Sequence, residues 1–285
     1  MRSRRQILTG TLGLAAAAAL PARARSLGLP IGIQLYTVAD ELDKDFAGTM
    51  RQLAAAGYED VELAGFHDHS AAALRDMFKA AHLQCRSAHF GIEELDQGLS
   101  KVLDDAHTLG LKYIVCAMPR FSDFAAITVD EWKWNADFCN RVGARVAAAG
   151  LTFAYHNHNL EFRKVDATTG FDLLIKHSDP RVVKFQLDCG WVATSGLDPA
   201  DTITRYADRV RLLHLKDLKR GFKRNTDMQI ETTTIGAGVM DWGALFAAAK
   251  KAGIEGYYVE IEAPFARPVL EMAAASAAYL KAQNI

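Results

Sequence analysis

The chain has 285 residues, half of them hydrophobic, with 33 basic residues against 34 acidic ones. That is enough apolar material for a sizeable core, and the near balance of charge leaves no basic face of the kind nucleic acids select. The length fits one large domain or two ordinary ones, because α/β barrels of about 250 residues are routinely single domains.

Residues 3–8 (SRRQIL) carry a twin-arginine pattern, an apolar run follows through residue 20, and Ala22-Arg23-Ala24 supplies small residues at the spacing a signal peptidase reads. This combination predicts an export signal over residues 1–24 rather than a membrane span. The mature protein is therefore expected in the periplasm or outside the cell, exported already folded. No later apolar run reaches the ~18 residues a spanning helix needs, so no membrane association is expected after signal removal. Cys85, Cys116, Cys139 and Cys189 form no C-x-x-C pair, which argues against a zinc ribbon or a thioredoxin-like motif. An even count in an exported protein is compatible with disulfides, but Cys85 and Cys116 lie in strand segments and Cys189 follows one, which points to buried thiols.

From residue 30 a short apolar strand, a turn and an amphipathic helix recur. Strands are predicted at residues 31–36 (IGIQLY), 61–63, 84–90, 113–118, 151–158, 182–187 (VVKFQL), 211–215 (RLLHL) and 256–261 (GYYVEI). Helices are predicted between them at 46–56, 71–81, 99–109, 132–149, 170–178, 199–206 and 242–252, with a last one from about residue 270. Alternating strand and helix implies a parallel sheet covered by helices, and eight units in about 255 residues predict a closed (β/α)8 TIM barrel, one domain over residues 30–285. An open doubly wound sheet is the rival, but no G-x-G-x-x-G follows the first strand.

Barrel enzymes build their sites where the strands end, and the polar residues collect there. Gln34 ends strand one, Glu62 lies in strand two, and His89 ends strand three. His156 and His158 close strand five, with Glu161 just beyond. Asp188 ends strand six, His214 and Lys216 end strand seven, and Glu260 ends strand eight. Strand alternation puts His156 and His158 on one face. Each has an ordinary structural reading as well: Asp188 as a helix cap, His214 as a satisfied core histidine, Glu260 as a partner of Lys216, Gln34 as pocket wall. Two carboxylates with one or two neutral imidazoles suit Mn²⁺, Co²⁺, Zn²⁺ or Fe²⁺ better than Mg²⁺. Such an ion polarises a carbonyl and acidifies the neighbouring C–H, so that a carboxylate or imidazole can move the proton.

The stretches QLYTV (34–38), VELAG (61–65), YHNHNLEF (155–162), QLDCGWV (186–192), LLHLKD (212–217), GAGVMDW (236–242) and YVEIE (258–262) resemble the sugar phosphate isomerase/epimerase group of the xylose isomerase-like barrels. That group includes D-tagatose 3-epimerase and inosose dehydratase. The resemblance implies a divalent metal held by residues of strands five to eight, the last three being Asp188, His214 and Glu260. Many relatives read L-E-N-H at strand five, where this chain has His156 in Y-H-N-H. Either His156 binds the metal and serves as a base, or Glu161 curls back to supply the carboxylate.

The expected ligands are thus His156, Asp188, His214 and Glu260, with Glu260, His156 and His158 as proton-transfer groups. Gln34, Glu62, His89, Glu161 and Lys216 are expected to contact substrate. The expected partner is a small-molecule carbohydrate, unphosphorylated because no glycine-rich phosphate cradle is present. Homo-oligomerisation stays open. The expected activity is a metal-dependent isomerase or epimerase, with a dehydratase using the same site, or a catalytically silent sugar-binding protein, as alternatives. A nuclease is disfavoured by the lack of a fuller ligand set and of basic surplus.

Overall fold

The computed structural model describes residues 26–283; the expected export signal lies outside the described residues. Eight parallel strands close a barrel: β1 Gly32–Gln34, β2 Asp60–Ala64, β3 Gln84–Phe90, β4 Tyr113–Cys116, β5 Thr152–His156, β6 Lys184–Asp188, β7 Val210–Leu215 and β8 Gly256–Val259. Each strand pairs with its chain neighbour, and β8 closes on β1 with Gly32 opposite Tyr258 and Ile33 opposite Val259. The principal helices are α1 Phe46–Ala56, α2 Ala71–Ala80, α3 Leu99–Leu109, α4 Val129–Ala148, α5 Gly170–His177, α6 Pro199–Arg205, α7 Trp242–Ala252 and α8 Val269–Ala282.

The helices begin where the sequence offers caps. Asp45 accepts the Gly48 amide at the start of α1, and Thr128 with Glu131 forms a capping box. That box satisfies two otherwise unpaired amides and starts α4 at Val129, three residues earlier than periodicity alone indicates. Between strands and helices runs one continuous apolar layer, including Met50, Leu74, Trp132, Phe153, Tyr155, Phe185 and Phe246. Each side chain of this size, fully buried, contributes about 1.5–3 kcal/mol, so this layer holds the fold.

Inside the barrel the apolar filling is small and separate: Tyr113, Val115, Ala154, Leu212 and Tyr258. Beneath it Arg86 donates to Asp60 Oδ2 at 2.7 Å, and the Tyr258 hydroxyl reaches the same oxygen at 3.3 Å. Above it the interior is polar. All four cysteines are buried free thiols, and no helix among the described residues is long and apolar enough to cross a membrane.

Four strands stop earlier than predicted, β8 among them at Val259, and the other three do so for local reasons. After β1 the chain winds into a 3-10 turn, Leu35–Val38, because Gln34 turns its amide oxygen back to the Tyr36 N–H. β4 ends at Cys116, just ahead of Pro119, and β5 ends at His156. His158 therefore sits in the loop beyond β5 rather than on its face.

Candidate active site

Two inward-facing side chains form the floor of the site, each beside a register shift. The unpaired residues of those shifts are Arg86 in β3 and Arg211 in β7, so β2 and β6 keep their alternation. Glu62 and Gln186 meet across the barrel: Gln186 Nε2 donates to Glu62 Oε1 at 2.7 Å. Glu62 also accepts from Ser87 Oγ at 2.5 Å, Gln34 Nε2 at 2.9 Å and His214 Nε2. Burial alone raises this carboxyl, but the His89 and His214 imidazoles outweigh it and hold Glu62 below the usual carboxylate range.

One wall of the site is charged. His214 lies between two carboxylates, with Nδ1 2.6 Å from Glu260 Oε2 and Nε2 against Glu62. Burial lowers its pKa, yet Glu62 and Glu260 win and push it up to about 10. The Lys216 ammonium contacts Asp188 at 2.8 Å, Glu260 at 2.9 Å and Glu262 at 2.8 Å, so each of its three N–H groups has a carboxylate. Gly190 makes room for this lysine, since an added Cβ there would stand 2.5 Å from Lys216 Cβ. Asp188 does two jobs: Oδ1 caps the short helix Cys189–Thr194 through the Trp191 amide, and Oδ2 takes Lys216.

The other wall is imidazole. His89, His156 and His214 pack with ring centroids 4.6–5.2 Å apart, and His158 adds a fourth ring 4.9 Å from His156. Burial, reinforced by His214, holds His156 well below its ordinary pKa; burial and Lys216 take His158 down to about 3. Both rings are therefore neutral. His158 Nδ1 is buried with no hydrogen-bond partner among the described residues.

These walls face a cavity of about 510 Å³ lined by Gln34, Tyr36, His89, His156, His158, Trp191, Glu260 and Glu262, among others. Three residues expected to touch substrate do not reach it. Glu62 is the buried hub beneath the floor. Lys216 lies behind Glu260 and Glu262, 1 % exposed. Glu161 is fully buried, with its oxygens taken by the Tyr155 hydroxyl and the His158 amide at 2.9 Å each. It braces the loop that carries His158 and supplies no carboxylate to the site. Burial pushes it up to about 7. Gln186 and Glu262 were missing from the sequence-derived set, and Glu262 had only one signal, its place two residues beyond Glu260.

The four expected ligands also divide. Asp188, His214 and Glu260 bring donor atoms within 4.8 Å of one another, whereas His156 groups with His89 and His214 instead. The donors of the first group fit a divalent ion. Two carboxylates and an imidazole, once it has given up its extra proton, suit first-row metals, and the surrounding cluster sets four carboxyl groups (Glu62, Asp188, Glu260, Glu262) against the single Lys216 ammonium, leaving negative charge for a cation to balance.

The model of the xylose isomerase-like TIM barrel family matches residues 50–283. An inosose dehydratase of Lacticaseibacillus casei is 27% identical over 252 residues, covering 77% of this chain and 83% of its own. A sugar phosphate isomerase/epimerase from Parabacteroides distasonis ATCC 8503 is 27% identical with a TM-score of 0.78, covering 95% of this chain and 98% of its own. The IolI protein, solved with a bound zinc atom, shares the fold at 15% identity and a TM-score of 0.69, covering 90% and 99%. With its closed eight-stranded barrel and the family match over residues 50–283, this chain belongs to the xylose isomerase-like TIM barrel family.

Proposed function

We propose that this protein is a carbohydrate-acting enzyme that removes a proton from the carbon beside a carbonyl of an unphosphorylated keto-sugar or cyclitol and expels a neighbouring hydroxyl as water. The carrying observation is the pairing of a neutral, unpartnered imidazole, His158, with the carboxylates of Glu260 and Glu262 around one cavity. The absence of arginine and lysine from the lining residues supports an uncharged substrate. The dehydratase name carried by the relative that is 27% identical supports elimination.

In this reading Asp188, His214 and Glu260 hold a divalent ion, of the Mn, Co, Zn or Fe type rather than Mg, and bound there it supplies Lewis acidity to the substrate's oxygens. His158 accepts the proton from carbon. The same imidazole then gives that proton to the departing hydroxyl, so one water leaves, a carbon–carbon double bond forms and the ring returns to its neutral state. Glu262 and Tyr36 at the mouth orient hydroxyls, and Glu260 holds the opposite side of the ring.

Epimerisation is the second reading, favoured by one feature: Glu260 and His158 reach the cavity from different strand ends and can serve as two bases on one carbon. Turnover in deuterated water separates the two. Loss of water to an unsaturated product supports elimination, whereas one deuterium gained with no mass loss overturns it in favour of epimerisation. Sugar binding without turnover, unchanged by chelation, overturns both. We also propose export by the twin-arginine route, which fractionation and N-terminal sequencing of the expressed full chain would test.

A further inference from the structure

Glu62 can only accept hydrogen bonds, since its carboxyl is ionised amid five neighbouring donors. The Gln186 atom 2.7 Å from it is therefore the amide nitrogen, which leaves Gln186 with its oxygen turned the other way. That oxygen lies 2.7 Å from His89 Nε2 and 3.1 Å from His156 Nδ1. An amide oxygen only accepts, so both ring nitrogens carry hydrogen. The order is directional: Glu62 fixes the Gln186 amide, and Gln186 fixes two imidazoles.

We infer that Gln186 is the positioning residue that locks His156 in its Nδ1–H form and so leaves Nε2 as a bare acceptor at the cavity. This deepens the proposed function. At the strand-five position, where a carboxylate would accept a proton or hold an ion through oxygen, His156 presents a neutral nitrogen lone pair of fixed direction. Isolated histidine side chains choose between two forms; here the choice is made by a residue on the next strand. His89 is set by the same oxygen in the opposite sense, through Nε2.

The test is long-range proton–nitrogen correlation NMR on the full chain labelled with nitrogen-15 histidine, chelated and without substrate, with His156→Asn to assign the ring. The expected spectrum shows Nδ1 protonated and Nε2 bare in the wild type. Gln186→Glu, which keeps an acceptor in place, retains that pattern. Gln186→Leu releases it, His156 then shows the Nε2–H form, and kcat falls about 10- to 100-fold, the usual cost of losing a group that orients a site imidazole. An Nε2–H form in the wild type overturns the inference, as does an unchanged pattern in Gln186→Leu. Should Gln186→Leu fail to fold, the wild-type and Gln186→Glu spectra still decide. Because no substrate is present, a wrong assignment of the reaction leaves this result untouched, and the deuterium experiment leaves the tautomer untouched.

Discussion

The two walls of the cavity solve the same problem by opposite means. Ionisable groups taken out of water must be either neutralised or paired. On the β6–β8 side they stay charged and are paired, with Lys216 among three carboxylates and His214 between two. On the β3–β5 side burial strips the charge from His156 and His158, and hydrogen bonds to the Gln186 oxygen set the geometry of His89 and His156. The difference separates two kinds of group: the charged wall offers carboxylate oxygens, where the proposed ion would sit, and the neutral wall offers uncharged nitrogen lone pairs.

Replacement of Glu260 by Gln breaks the charged wall at a carboxylate that lines the cavity, and of His158 by Gln breaks the neutral one. Each is expected to lower kcat/KM about 100- to 10,000-fold, the range for removing a proton-transfer group. A loss for Glu260→Gln alone would place all the chemistry on the charged side. Lys216→Met sharpens the contrast in stability. It leaves buried carboxylates without their cation and should cost about 3–5 kcal/mol in urea unfolding, part of which added Zn²⁺ or Mn²⁺ restores. An unchanged midpoint would mean the lysine is not what holds that wall together.

Behind the neutral wall, Glu161 is pushed up to about 7 from an ordinary value of 4.5. The folded protein then holds a proton that the unfolded chain releases between those values. Stability from this group is complete below about pH 4.5 and declines by about 3 kcal/mol as pH rises through 7. Denaturation midpoints measured from pH 5 to 8 should show this fall in the wild type and lose it in Glu161→Gln; equal slopes would refute the assignment. The smallest effect is expected at Asp217, outside both walls. Its carboxylate accepts N–H groups from Leu218, Gly236, Gly238, Val239, Met240 and the Trp242 indole. Asp217→Asn puts an NH₂ against some of those donors and should cost about 1–3 kcal/mol, read as faster hydrogen exchange confined to residues 236–242.

The barrel was legible in the sequence because alternation of strand and helix is a local pattern. Helices such as α1, α3 and α7 carry their stops, Gly57, Gly110 and Gly253, in the left-handed conformation that glycine favours. Asp188, His214 and Glu260 were legible as polar residues where apolar strands end. Gln186 shares the inward face with Asp188 by plain alternation, but it lies in mid-strand, where a polar residue carries no strand-end signal. Glu161 and Lys216 were found but misplaced. Two residues separate His158 from Glu161, and only the closed turn through Leu160–Phe162 carries the carboxylate behind the strand. Lys216 reads as a long flexible cation, yet three carboxylates from β6 and β8 hold it below the surface.

Lys216 and Asp217 are neighbours that point apart, one into a cage of carboxylates and the other into a ring of backbone amides. A slide of this segment by one residue would put one of them in the other's place, either the Asp217 carboxylate among carboxylates or the Lys216 ammonium among N–H groups. Leucines on either side would tolerate such a slide far better, since one apolar contact resembles another. The pair therefore acts as a keyed coupling just beyond the end of β7, and it admits only the alignment that delivers His214 to the site.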